Sequence, residues 1–534
     1  MSRARVGLTV ALLALAALPR ARADVTAEQV ERAIRRGVAF LKSSQSPDGS
    51  WPGEPGMTAL VSLALVTAGE PPDSPAVARA FRHLLQAPEG HHETYTLGLK
   101  AMAMASAPEK YAQALQAYAT RLEQGQIRTP QRFAFGSWTY QAAPNGFGDN
   151  SNSQYALLGL HAASEAGARV DPVVFLRALR YWQNAQCRDG SWAYKAGQPN
   201  NGTGSMTCAG ISSLIIAGAR QSESRERLVG NLVEHCGERS VDPGLQAGLD
   251  WLGRNFDVRG NINGGGQWAY YYLYGLERAG RLSGLRYLGR HDWYREGAEE
   301  LVRLQDPVTG TWRGVGMESD PRLATSFAVL FLAKGRSPVL VNKLKHGPPG
   351  DWDNDHDDMA NLTTMVSRDW KSLVTWQVVD PSHASVEDLL QAPIVYLNGH
   401  DAPLLGAESK RSLRRYIENG GLILAEACCG KRAFDHGFRS LIQEILPEPE
   451  YDLHPLPPEH PIWRSKYELD PNAHPLWGIE HGCRTVVIYS PDDLSCYWHH
   501  LEAQPGHPKV IQAARMGQNI IDYVTGRELP ADKL

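Results

Sequence analysis

The chain has 534 residues, with 58 Asp and Glu against 54 Lys and Arg, a formal charge of −4. That balance argues against nucleic acid or an anionic membrane surface as a partner, and seven cysteines in so long a chain exclude a disulfide scaffold. Stability must come from buried cores, and the length suits two or three domains.

The opening residues read as a secretory leader. Arg3 and Arg5 precede an apolar run over 6–18, and Ala21-Arg22-Ala23 is a small-x-small cleavage site, so residues 1–23 are expected to be removed. The run is shorter than the ~20 residues a membrane span needs. Without its four arginines the chain keeps 50 Lys and Arg against 58 acids, a charge near −8. A periplasmic or secreted location is expected, with no integral membrane segment after cleavage. An odd cysteine count then leaves at least one thiol unpaired within the chain.

Residues 24–345 carry an internal repeat. One copy runs from Arg36-Gly37-Val38-Ala39-Phe40-Leu41 through Gln45 and Gly49 to Trp51. A second runs from Arg177 through Gln186 and Gly190 to Trp192, and a third keeps Gln305, Gly310 and Trp312. Looser copies end at Trp138 and Trp268. Each tryptophan is followed by an apolar, small-residue helix, predicted over 57–68, 153–163, 206–217, 270–279 and 324–333, with another over 95–105. These helices are apolar nearly all round, whereas 27–42 has a charged face, as an outer layer would. About six helical hairpins follow.

The pattern Arg-Gly/Ala-x-x-aromatic, then Gln-x-x-x-Gly-x-Trp, resembles the repeat of squalene and hopene cyclases. That resemblance implies an all-α domain, an α/α toroid like that of the cyclases and the prenyltransferase β-subunits. The chemistry of those enzymes is not carried over. The Asp-x-Asp-Asp acid of the cyclases is missing from the ring, and so is the Asp-x-Cys spacing of the prenyltransferase zinc site. His235-Cys236-Gly237-Glu238-Arg239 is similar to a thioester motif, but Arg239 replaces the glutamine that would be acylated, so a loop between hairpins is expected. The ring mouth offers Asp149, Asn150, Asn152 and Gln154, and Asn201 in a second segment. They are read either as binding groups for a polar ligand or as ordinary helix caps.

Residues 346–350 read as a linker. From 351 onward strands predicted over 372–379, 393–398, 421–425 and 485–490 alternate with helices over 407–419, 434–445 and 515–525. A smaller α/β domain over 351–534 follows, doubly wound and flavodoxin-like. The stretch 447–475 is expected to wrap the surface. Asp351-Trp352-Asp353-Asn354-Asp355, Asn398-Gly399-His400, Glu418-Asn419-Gly420-Gly421 and Ser490-Pro491-Asp492-Asp493-Leu494-Ser495-Cys496 resemble the bacterial DUF4159 family. The resemblance implies a fold like that of class I glutamine amidotransferases.

At the carboxyl ends of such strands lie His400 and Asp401, then Cys428 and Cys429. A cysteine at a strand-to-helix turn can be activated as a nucleophile, and His500 with Glu502 would complete a triad in chain order. The alternative keeps Cys428 and Cys429 as turn residues, or in a disulfide with Cys483 or Cys496. The acidic run 351–358 lacks the turn glycine and the twelfth-position glutamate of a calcium loop, and is read as a solvated loop or a helix start, with loose binding of a hard cation as the alternative. No cofactor and no metal ligand is assigned. The favoured reading is a binding or assembly protein whose ring takes a polar polymer, a peptide or a protein partner. The rival is an enzyme, either a thiol hydrolase or amidotransferase in the second domain, or terpenoid or polysaccharide chemistry in the ring.

Overall fold

A computed structural model describes residues 25–130, 133–219, 226–237, 242–335 and 337–530. The expected leader 1–23 and Arg239 lie outside the described residues. The N-terminal half is built from helix pairs in chain order: α1 (Ala27–Ser43) with α2 (Pro55–Thr67), α3 (Pro75–Gln86) with α4 (Glu93–Met104), and α5 (Pro108–Gly125) with α6 (Asn150–Glu165). Then come α7 (Pro172–Ala185) with α8 (Gly204–Ala219), α9 (Pro243–Arg254) with α10 (Ala269–Ser283), and α11 (Trp293–Leu304) with α12 (Pro321–Gly335). The even-numbered helices pack in sequence, α2 on α4, α4 on α6 and so on, and α12 returns to α2.

The repeat residues join the pairs. Gln45 Nε2 donates to the carbonyls of Gly49, in its own turn, and Ala76, in α3. Gln186 does the same to Gly190 and to Gly244 of α9, and Gln305 to Gly310 and to Ala33 of α1. Gln126 repeats the arrangement with Gly136 and Val174 of α7. The indole N–H groups of Trp51, Trp138, Trp192 and Trp312 each donate to a carbonyl at or near the end of the preceding odd-numbered helix, at 2.7–2.9 Å. Carbonyls in a last helical turn are short of intrahelical donors, so the tryptophans act as caps, although Leu301 O also accepts from Gln305 N–H at 3.1 Å. Trp268 departs from the pattern: it takes φ 62° just ahead of α10 and is only half-buried.

Close packing sets the limits of substitution. A Cβ at Gly210 of α8 would stand 2.3 Å from the Trp192 ring. Gly210→Ala is therefore expected to destabilise by about 1–3 kcal/mol, read as a lower urea midpoint together with a changed tryptophan emission.

One short hairpin interrupts the helix pairs between α8 and α9. Strands β1 (Arg227–Val229) and β2 (Leu232–Glu234) are antiparallel and lead into His235-Cys236-Gly237. A second, β3 (Tyr287–Leu288) with β4 (His291–Asp292), follows α10.

The C-terminal part is a seven-stranded, mostly parallel sheet. Its strands are β5 (Val339–Leu344), β6 (Thr375–Val379), β7 (Ile394–Gly399), β8 (Leu422–Ala427), β9 (His454–Pro455), β10 (Trp477–His481) and β11 (Arg484–Ser490). Their order is β6-β5-β7-β8-β11-β10-β9, with β9 and β10 antiparallel. The sheet thus already begins at Val339, ahead of the turn-rich stretch 346–350. Helices α13 (Asp358–Trp370), α17 (Ser495–His499) and α18 (Pro508–Thr525) pack on one face. Helices α14 (Val386–Leu389), α15 (Ala407–Glu418) and α16 (Arg432–Ile445) pack on the other. Alternate strand residues, such as Tyr396 and Leu424 against Val395 and Ile423, feed the two cores. No helix among the described residues is long and apolar enough to cross a membrane.

The two parts meet along the sheet edge. The segment after α10 pairs with β6: Arg286 N–H donates to Val378 O at 3.0 Å, and Val378 N–H to Gly284 O at 2.6 Å. An edge strand that would otherwise be open is covered in this way.

Candidate metal centre

Strand β8 is buried along its length and ends at Ala427. A single tight turn, Cys428–Gly430, then leads toward α16, with Cys429 in the left-handed region at φ 54°. Strand β11, the neighbour of β8, ends just before α17, whose first turn carries Cys496. Two adjacent parallel strands so deliver three thiols to one carboxyl edge of the sheet, where open α/β sheets place their sites. The fourth thiol comes from the helical part. The β1–β2 hairpin reaches across, the Tyr497 hydroxyl donates to Asn231 O at 2.8 Å, and Cys236 enters the cluster.

All four sulfurs lie within 4.8 Å of one another. Cys236 Sγ is 3.1 Å from Cys496 Sγ and 3.2 Å from Cys428 Sγ. Cys496 Sγ is 3.5 Å from Cys429 Sγ and 3.8 Å from Cys428 Sγ. None of the four is in a disulfide. Four sulfurs on a tetrahedron with zinc–sulfur arms of about 2.3 Å would stand ~3.8 Å apart. The spacing suits one tetrahedral ion and leaves no room for the several irons and sulfides of a cluster.

Other polar groups press on the thiols. His400 Nε2 is 3.3 Å from Cys428 Sγ and 3.6 Å from Cys236 Sγ. Its backbone N–H donates to Asp351 at 3.0 Å, which fixes the ring's approach. Asp355 brings its two oxygens to 3.3 Å from Cys428 Sγ and 3.6 Å from Cys236 Sγ. Ser495 Oγ donates to Asp355 at 2.5 Å and also touches Glu426. On the hairpin side His500 Nε2 lies 3.4 Å from Glu226 Oε1.

The electrostatics follow from burial and crowding. The contacts of Cys236, Cys428 and Cys496 draw the Cys429 thiol far below the ordinary range. Burial pushes Cys428 and Cys496 well up. Cys236 also rises, because Cys429, burial and Asp355 outweigh its contact with Cys428. Burial, then Asp355, lifts Glu226 to about 8. Glu426 also reaches about 8, as burial and Asp355 outweigh the hydrogen bond from Ser495. Asp493 is pushed well up by burial and then by Glu426. Burial opposes the charge on His400, but the Cys429 sulfur and Asp351 hold it above the usual histidine value.

The residues expected from sequence divide. Cys428, Cys429 and His400 come together. His500 sits on the flank beside Glu226, and burial lowers its pKa. Glu502 is exposed, 3.9 Å from Arg368, so His500 and Glu502 do not join the thiols as a triad. Asp401 is exposed, and its backbone N–H donates to Asp351. Cys483 is exposed at the turn between β10 and β11. Asp149 caps α6 by accepting from Asn152 N–H at 2.9 Å. Asn150 bridges Ala193 O and the Tyr181 hydroxyl. Gln154 reaches the Tyr271 hydroxyl at 3.5 Å, and Asn201 is exposed.

Where no metal ligand was assigned, the fold assembles a donor set. Its thiols are 192 and 260 residues apart in the chain, so no spacing announces them. Cys236, read as part of a loop, is a member. So is Asp355, read as solvated or at a helix start. It is fully buried, as is Asp358, because Lys343 in β5 sends its ammonium to Asp358 and to Asp355 O at 2.9 Å.

Comparison with known proteins bears on both halves. No curated protein matches the chain. Among solved structures, a type II terpene cyclase from Scytonema, in its apo form, is 15% identical with a TM-score of 0.38; the match covers 58% of this chain and 97% of that one. Residues 341–525 match the family model described as "Domain of unknown function (DUF4159)". Three of the four clustered thiols lie in that region and the fourth, Cys236, outside it. The C-terminal part of this chain is a DUF4159 domain.

Proposed function

We propose that this chain is an exported binding or assembly protein whose two parts are held as one body by a zinc–thiolate centre. The observation that carries the proposal is the meeting of Cys236, Cys428, Cys429 and Cys496, from three separate segments, with all sulfurs within 4.8 Å. A closed set of four thiolates is the donor set of a structural zinc ion. Here it would pin the hairpin of the helical part to the sheet. The circuit of even-numbered helices, with Gln305 returning to α1, supports an α/α toroid as the scaffold. The parallel strand order supports a flavodoxin-like second domain.

The thiol-hydrolase reading has one observation in its favour: Cys429 sits at a strand–turn–helix junction with His400 close by. Against it, a nucleophile needs one base and an open approach. Here Cys428 and Cys496 are wholly buried, and the cluster is closed by Cys236. The test is cobalt exchange into the full-length protein purified under reducing conditions. Tetrahedral thiolate ligation is expected to give intense near-ultraviolet charge-transfer absorption and visible ligand-field bands. A protein that takes no metal and hydrolyses a thiol-sensitive ester through Cys429 would sink the proposal.

A further inference from the structure

Beside the four thiols lies a second array of donors. The ligand atoms of Asp355, Glu426 and Cys428 are within 4.8 Å of one another, and all three residues are buried. Both carboxylates contact the single Ser495 hydroxyl, whose one proton can serve only one of them at a time. Glu426 also accepts from the Tyr396 hydroxyl at 3.1 Å and from Leu494 N–H at 2.6 Å.

Asn398 gives an independent sign. It is 1% exposed, and its Nδ2 donates to Ser495 Oγ at 3.3 Å, which seats the amide beside this array. Its Oδ1 has no hydrogen-bond partner. A buried acceptor without a donor calls for a missing partner. The nearby Lys343 ammonium does not supply it, being bonded to Asp358, Asp353 and the carbonyl of Asp355.

We propose that a second divalent ion sits here, held by the carboxylates of Asp355 and Glu426 and by Asn398 Oδ1, with the Cys428 thiolate bridging it to the first ion. This rests on the zinc–thiolate reading. A dication at the second site would displace the proton that burial favours on Glu426 and would offset the thiolate and carboxylate charge gathered in one buried volume. Three oxygens and one sulfur suit a borderline first-row ion, such as zinc or cobalt, rather than monovalent copper.

The experiment is an anaerobic titration of the reduced, metal-depleted full-length protein with Co²⁺. It reads the thiolate charge-transfer band and the cobalt retained per chain after desalting. Saturation of the band at the first equivalent, with a second equivalent also retained, is the expected result. Glu426→Gln and Asn398→Ala should each lower retention from two cobalt ions to one and leave the band in place. One retained cobalt in the wild type, with the band, overturns the second site and leaves the zinc–thiolate reading standing. No band and no retained cobalt overturns both. Two ions that persist in both variants would place the second ion elsewhere and overturn this assignment.

Discussion

Replacing Cys496 by serine is expected to abolish the zinc dependence of stability. Cys496 Sγ touches Cys236, Cys428 and Cys429, so its loss opens the tetrahedron on the side that joins sheet to hairpin. An ion that binds only the folded chain stabilises it by about 4 kcal/mol when free metal exceeds the dissociation constant 1,000-fold. The wild type should therefore unfold at a higher urea concentration with zinc than with a chelator, while Cys496→Ser should show one midpoint in both. Cys483→Ser is the control: that thiol is exposed and outside the cluster, so its change should stay within about 0.5 kcal/mol. Equal midpoints for the wild type with and without zinc would remove the ion from the account of how the domains are joined.

The second large effect is expected at Arg286, which joins the same two parts at the other end of their contact. Its guanidinium is 1% exposed and pairs with Asp292 at 2.6 Å, in the helical part, and with Asp388 at 2.8 Å, at the start of α14. Arg295 and the Tyr287 hydroxyl also reach Asp388. Arg286→Ala would leave buried carboxylates without their main partner, a loss of about 3–5 kcal/mol at neutral pH. The pH dependence has a definite sign. Burial raises the Asp388 pKa, but Arg286, the Ser385 N–H, Tyr287 and Arg295 outweigh it and hold the carboxyl below the usual range. A depressed folded-state pKa means that the contribution is complete above the unfolded value, near 4, and fades as pH falls through the lower folded value. The stability gap between wild type and Arg286→Ala should thus be wide at pH 7 and close below about pH 4. A gap that is flat from pH 7 to pH 3, read by urea unfolding, would contradict this.

The repeat was legible because its residues act locally. A glutamine four or five residues ahead of a glycine turn, as at Gln45, Gln186 and Gln305, is visible as a spacing. Gln126 performs the same task with Gly136 ten positions away, so the loop length hid it. Strand β5 was hidden by composition: Asn342 and Lys343 break its apolar run, yet both are fully buried. Asn342 bonds Leu389 O, and Lys343 bonds the acidic segment 353–358. That pairing also explains why an acidic stretch, read as solvated or as a helix start, lies inside the molecule. At the centre, Cys428, Cys429 and His400 could be proposed because strand ends in parallel sheets are known positions. Cys236 and Glu226 could not, since only the docking of the hairpin brings them in, and Asp355 arrives with the acidic segment that Lys343 draws inside.

The separation of the thiols along the chain also bears on how the protein matures. Cys236 is synthesised 192 residues before Cys428 and 260 before Cys496. Chains fold from the N-terminal side as they emerge, so the hairpin is made well before the thiols it would join. If the protein is exported, that thiol spends the interval where foreign disulfides can form. The proposed centre cannot close until Cys496 has been made, so its closure would mark a chain extended that far, kept reduced and correctly docked.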